Sequence, residues 1–329
     1  MHLKRSIGTQ ECNISIRYNT DNMAKRYAGV VVPMITPFNS KNKLDDSAVA
    51  RIASNFKVND VSILALGTTG ESPSVPESES RRMIKTISKT VAGGTDVYAC
   101  LSGNCVEENI NNAKAYIEAG ANIIVSLLPC YYRLTAYQML KYFETVANSI
   151  DVPLMIYNIP STTNMSIPLP VVEELSQHPN IQGFKDSERD IARMEKGIEL
   201  FRNRPDFSFF VGYAAVSVKA LRLGADGIIP STGNFVPGLF KQLYDFSLTG
   251  QWKKAEKVQA FTDKMALIYQ EGRSLGESLQ ALKVIMSTFG LCETHAIPPL
   301  TELGDDVKES IITATKNFLE KEEYLEMAQ

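Results

Sequence analysis

The chain has 329 residues, 44% hydrophobic and 22% charged, with a formal net charge of -3. That balance suits one large globular core of barrel size with room for additional helices. No apolar run reaches the roughly 18 residues that cross a bilayer, and the near-neutral charge leaves no basic footprint for nucleic acid. A small molecule is therefore the expected partner.

Five cysteines, Cys12, Cys100, Cys105, Cys130 and Cys292, are odd in number and lack CxxC spacing. That argues against a disulfide framework or a zinc site and fits a reducing cytoplasm. Cys130, beside Tyr131, is either a reactive thiol or a buried, inert one, and the buried reading is the expectation. Residues 1–28 form an extension before the first strand pattern, with Met23 a candidate functional start. Its first 22 residues include Glu11 and Asp21 and lack the apolar core of roughly 7 to 15 residues that a secretory signal needs, so they read as loosely ordered.

From Gly29 onward, apolar runs of strand length recur at 29–35, 61–66, 97–101, 122–128, 152–157, 181–184, 207–211 and 227–229. Helix-period segments lie between them. In 76–92, Met83, Ile84, Ile87 and Val91 share one face while Arg81, Arg82, Lys85 and Lys89 stay wet. Strands that are apolar throughout belong to a parallel sheet covered on both faces. Two segments, Ala119–Ile124 and Leu223–Ile228, each place a glycine where a helix must stop in the left-handed conformation before a buried strand begins. After about residue 236 the pattern is helical throughout, at 237–248, 251–270, 274–290 and 304–323. The fold class expected is α/β, a (β/α)8 TIM barrel over 29–248 with a C-terminal helical appendage over 249–329. An open doubly wound sheet is the rival, but the first turn, Ile35-Thr-Pro-Phe38, has no GxGxxG.

In such a barrel the site lies at the C-terminal ends of the strands. Polar residues there are Thr36, Gly67 to Ser72, Ser102 to Asn104, Tyr131 to Arg133, Tyr157, Asn158, Lys185 to Ser187, Gly212, Tyr213 and Ser231 to Asn234. An amine at the mouth of an apolar strand is desolvated, which lowers its pKa and suits it to Schiff-base chemistry. Position alone leaves Lys185 open between that role and a surface lysine whose stem covers apolar atoms. Likewise Gly67-Thr68-Thr69-Gly70 is either a tight turn or a cradle for a carboxylate, and Tyr157 and Tyr131 are either packing aromatics or proton donors. The histidines, His2, His178 and His295, fall outside the predicted rim, so neither a metal centre nor an imidazole base is expected.

The ordered set Gly67-Thr-Thr-Gly-Glu71, Tyr131, Tyr157-Asn-Ile-Pro160, Gly183-Phe-Lys185 and Gly212 resembles the class I pyruvate-dependent aldolases that include N-acetylneuraminate lyase and dihydrodipicolinate synthase. The resemblance runs from about Gly29 to the C-terminal helices. It implies that Lys185 forms an imine with pyruvate or another 2-oxo acid, and that Tyr157 shuttles protons in a relay with Thr68 and Tyr131. It further implies that Thr69 binds the carboxylate and that the backbone of Gly212 and Ile229 lines the pocket. No metal or organic cofactor is required, because the protonated imine itself withdraws electrons. Tyr131 acting in a neighbour's site would require a homo-oligomer, a dimer or a dimer of dimers.

Two departures bear on the substrate. The arginine that dihydrodipicolinate synthases carry two residues after the Asn-x-Pro turn is Thr162 here, so an anionic aldehyde loses its bidentate partner. The acidic pair that sialic acid lyases carry after strand seven is Ala214-Ala215. Lys185-Asp-Ser187 looks more like members acting on 2-keto-3-deoxy sugar acids or 4-hydroxy-2-oxo acids, and retro-aldol release of pyruvate and an aldehyde is the expected reaction. Alternatives are a dihydrodipicolinate synthase-like condensation, a dehydratase using the same imine, and a non-catalytic barrel that binds a 2-oxo acid.

Overall fold

The computed structural model describes Lys25 and residues 27–320. Cys12, Met23 and His2 lie outside the described residues. Eight strands alternate with helices: β1 (Gly29–Pro33), α1 (Asp46–Val58), β2 (Ser62–Ala65), α2 (Glu77–Val91), β3 (Val97–Leu101), α3 (Val106–Glu118), β4 (Ile123–Leu127) and α4 (Ala136–Ala147). There follow β5 (Leu154–Asn158), a single-turn α5 (Pro160–Thr163), α6 (Leu169–Leu175), β6 (Ile181–Asp186), α7 (Ile191–Phe201), β7 (Ser208–Val211), α8 (Ser217–Leu223) and β8 (Gly227–Ile228). The rest is helical, with α9 (Pro237–Leu248), α10 (Trp252–Gln270), α11 (Leu275–Thr288) and α12 (Asp305–Leu319).

The strands run parallel in sequence order and close on themselves. Gly29 pairs with Gly227 and Val30 with Ile228, joining the first strand to the last, so the open-sheet alternative is excluded. Asn234 reinforces that seam at the C-terminal end, accepting from the Ile35 amide at 3.0 Å and donating to the Pro33 carbonyl at 2.8 Å. At the other end Lys25 donates to Asp226 at 2.8 Å.

Every residue of β3, β4 and β5 is buried, as continuous apolar runs demand when one face looks into a barrel and the other under helices. The inner layer includes Val31, Leu64, Tyr98, Cys100, Val125, Met155, Tyr157, Phe210 and Ile229. Alternate residues such as Phe184 and Phe209 point outward, pack edge to face at 5.6 Å, and join the core beneath the helices. Burying one such side chain contributes about 1.5–3 kcal/mol, so it is this two-sided burial that drives the closed sheet. Gly227 is obligatory within it, because a Cβ there would collide with the Phe210 ring.

Helix ends follow local chemistry. Asp45 caps α1 through the Ala48 amide, and α4 and α11 open with capping boxes, Thr135 with Gln138 and Ser274 with Glu277. Gly120 and Gly224 adopt φ of +108° and +102°, the left-handed stops expected from the paired segments. The C-terminal helices are tied to the barrel mouth: Tyr269 of α10 shares hydrogen bonds with Ser231 at 2.8 Å and Thr232 at 3.0 Å.

Candidate active site

Lys185 lies on β6 and is 3% exposed, with the Gly183-Phe184 pair before it setting the alternation that turns its side chain inward. Its register partner on β5 is Tyr157, also 3% exposed, and Lys185 Nζ stands 3.7 Å from the centroid of the Tyr157 ring. Among the described residues no carboxylate forms an ion pair with this amine. Below it, burial pushes the Cys100 thiol up to about 12, with the Lys185 charge pulling the other way. The surface-lysine alternative does not describe this residue.

The following residues of β6 turn the opposite way and lock its end. Asp186 accepts from Arg193 Nε at 2.9 Å and from Asn158 Nδ2 at 2.8 Å. Asn158 Nδ2 also donates to Glu188 at 2.9 Å, and Arg193 reaches the Ile167 carbonyl at 2.7 Å. Burial raises the Asp186 pKa, opposed chiefly by the Arg193 charge. Nothing in the sequence pattern distinguishes this network, because its members are scattered from 158 to 193. Ser187 is held by its amide, which donates to the Asn158 carbonyl at 2.9 Å. It packs so closely on Gly212 that a Cβ at 212 would strike its Oγ.

The segment after β2 bends sharply. Leu66 and Glu71 both take left-handed φ, +58° and +57°, a conformation that costs a side-chain-bearing residue roughly 1–2 kcal/mol. Between them, Gly67 is buried and Thr68 and Thr69 are partly exposed. A Cβ at Gly70 would sit 3.0 Å from the Met34 carbonyl oxygen and 3.1 Å from Leu66 backbone atoms, so any side chain here would crowd backbone on two sides. Thr36 donates to the Gly70 carbonyl at 2.5 Å.

Glu71 borders a cavity beside this loop, and its carboxylate meets Lys283 of α11 at 2.6 Å with both side chains wholly inaccessible. Burial pushes the Glu71 carboxyl up, and the Lys283 ammonium opposes that. Sequence reasoning missed Lys283. A lysine in an apolar helix 212 residues away carries no local signal.

A cavity of about 220 Å³ opens beside this loop, lined by Thr68, Ser72, Ser102, Leu127, Thr162 and, from the C-terminal region, Leu275, Leu279 and Leu300. Lys185 is not in its wall but lies close by: Leu127 is the register partner of Tyr157. Thr162 donates to the Ile159 carbonyl at 3.3 Å, within the turn that follows β5. Ile229 is 3% exposed in the inner layer.

Two expected residues stand apart. Tyr131 is 78% exposed, edge to face with Tyr132 at 5.0 Å, and does not join Lys185 and Tyr157 within one chain. Cys130 is exposed, which corrects the expectation of a buried thiol, and it borders the cavity that Thr68 and Leu127 line; its amide and that of Tyr131 both donate to Asn104 Oδ1. Of the histidines, His178 lines a hollow at the N-terminal ends of β6 and β7, and His295 pairs with Glu302 at 3.0 Å.

A profile of the dihydrodipicolinate synthetase family matches residues 26–317. The chain is 28% identical over 299 residues to the 4-hydroxy-tetrahydrodipicolinate synthase of Porphyromonas gingivalis, covering 89% of this chain and 97% of that protein. Among solved structures, the dihydrodipicolinate synthase of Bacteroides thetaiotaomicron superposes with a TM-score of 0.84 at 25% identity, covering 90% of this chain and 100% of that one. YagE, a prophage protein of E. coli K12 solved in complex with pyruvate, also gives 0.84 at 25% identity, covering 89% and 99%. With its closed barrel, its lysine on β6 and a family profile spanning nearly all the described residues, the chain belongs to the dihydrodipicolinate synthetase family.

Proposed function

We propose that this protein joins pyruvate to an aldehyde through an imine on Lys185, in the manner of a dihydrodipicolinate synthase. The observation that carries the reading is the buried Lys185 amine 3.7 Å from the Tyr157 ring at the C-terminal end of the barrel. The amine attacks the keto carbon of pyruvate and water leaves, giving a protonated imine. Loss of a proton from the adjacent methyl carbon gives an enamine, which attacks the aldehyde carbon; hydrolysis then frees the product and restores the amine. Tyr157 would carry protons with Thr68, Thr69 and Gly67 would hold the carboxylate, and Gly212, Ile229 and Ser187 would border the pocket. Tyr131 would serve a neighbouring subunit, and an exposed Tyr131 beside Tyr132 is compatible with that.

The names of the relatives weigh toward condensation over the sugar-acid cleavage expected from sequence. Thr162 keeps the cleavage reading as a second one: without an arginine there, a 2-keto-3-deoxy acid or 4-hydroxy-2-oxo acid fits better than an anionic aldehyde. Both share the imine. Borohydride added with pyruvate should attach one reduced pyruvate to Lys185, located by peptide mass spectrometry, and Lys185→Arg should abolish the label. An unlabelled wild-type protein would sink the reading and favour a barrel that merely binds a 2-oxo acid.

A further inference from the structure

We infer that Lys283 is a positioning residue for the carboxylate cradle, so that α11, outside the barrel, sets how tightly the site holds pyruvate. The inference rests on the reading that the Thr68–Thr69 segment binds the pyruvate carboxylate.

Three observations converge. First, the segment from Leu66 to Glu71 is bounded by two side-chain-bearing residues in left-handed conformation, and such a turn persists only where its surroundings over-determine it. Second, the far end of the turn is held by an ion pair that no water reaches: Glu71 and Lys283, 2.6 Å apart and both wholly inaccessible. Third, Lys283 is itself fixed, donating to the His295 carbonyl at 3.1 Å and lying 4.8 Å from the Phe38 ring centroid. Glu71 is two residues from Thr69, too near for its placement to be independent of the cradle.

One turn earlier on α11, Gln280 is 2% exposed, with both polar atoms of its amide buried and, among the described residues, without a hydrogen-bond partner. The same helix sends Leu275 and Leu279 into the wall of the cavity that Thr68 lines. A buried ion pair is a poor means of gaining net stability, since desolvation offsets most of the attraction. What it does supply is a unique position for each charge, which a cradle of hydroxyls and backbone amides requires.

The test is the pyruvate dependence of borohydride labelling in the full-length protein, read alongside melting temperature. Lys283→Met and the paired Glu71→Gln/Lys283→Met variant, which leaves no lone buried charge, should each raise the half-saturating pyruvate concentration by at least about tenfold. Should Lys283→Met fail to fold, the paired variant carries the readout, and Glu71→Gln, which preserves volume, gives a second measure. A lower melting temperature with an unchanged half-saturating concentration would mean the pair only holds helix to barrel, and would overturn the inference. Failure of the wild type to label at all is a separate outcome: it removes the Schiff-base reading and the inference with it.

Discussion

Lys185 and Tyr157 face one another as register partners on adjacent parallel strands, with the amine 3.7 Å from the ring centroid. Neither depends on a loop for its position. Both are set by the pleat, in which alternate residues of β5 and β6 look into the barrel, and a one-residue slip would send both side chains under the helices. Asp186 and its partners on Arg193 and Asn158 oppose that slip from the other face.

Tyr157→Phe keeps the ring and removes only the hydroxyl. Turnover should fall by about 10²–10⁴ while melting temperature changes little and Lys185 still forms a borohydride-trapped imine. Loss of labelling in this variant would show that the tyrosine acts before the proton steps assigned to it.

Gly70→Ala places a methyl against backbone atoms of Met34 and Leu66 that cannot give way as a side-chain tip can. We expect a loss of about 1–3 kcal/mol in urea unfolding, together with weaker pyruvate saturation. Gly67→Ala, whose nearest neighbours would be Leu64 side-chain atoms at 3.7 Å, should cost far less stability. Equal losses in urea unfolding from the two would contradict the steric account.

Thr162→Arg restores a guanidinium to the turn after β5, beside the cavity. If the missing arginine limits anionic aldehydes, condensation with a carboxylate-bearing aldehyde should improve by about tenfold or more relative to a neutral one, as a charge-assisted bond contributes about 1.5–3 kcal/mol. An unchanged ratio of kcat/KM values would show that Thr162 does not govern acceptor charge.

Burial raises Cys100 and Cys292 from 9.0 to about 12, and Tyr116, Tyr142 and Tyr244 from 10.0 to about 12. The native state therefore keeps protons that the unfolded chain releases. Their contribution to stability is complete below about pH 9, where both states are protonated, and is lost as pH climbs toward 12. The urea midpoint should fall between pH 8 and pH 11. At pH 8, iodoacetamide should modify the exposed Cys105 and Cys130 well before Cys100 and Cys292; the reverse order by mass spectrometry would contradict the burial described.

Eight apolar runs, their alternation with helix-period segments and the glycines at 120 and 224 were legible from the residues alone, because burial on both faces of a strand and a left-handed helix stop are local demands with local signatures. Closure too was expected, from eight strands alternating with helices and a first turn without GxGxxG, but the pairing that achieves it, β1 with β8, joins residues nearly 200 positions apart and has no local signature. The same holds at the site. Position put Lys185 at a strand end but could not say whether it faced water, which the pleat beside Gly183 and Tyr157 decides. An inert, buried Cys130 was the expectation from residue type, yet the thiol is exposed, with its amide donating to Asn104. Glu71 and Lys283 each resemble surface charges until the fold brings them within 2.6 Å. Local chemistry determines the elements, whereas desolvation and charge pairing are properties of neighbours that only the folded chain supplies.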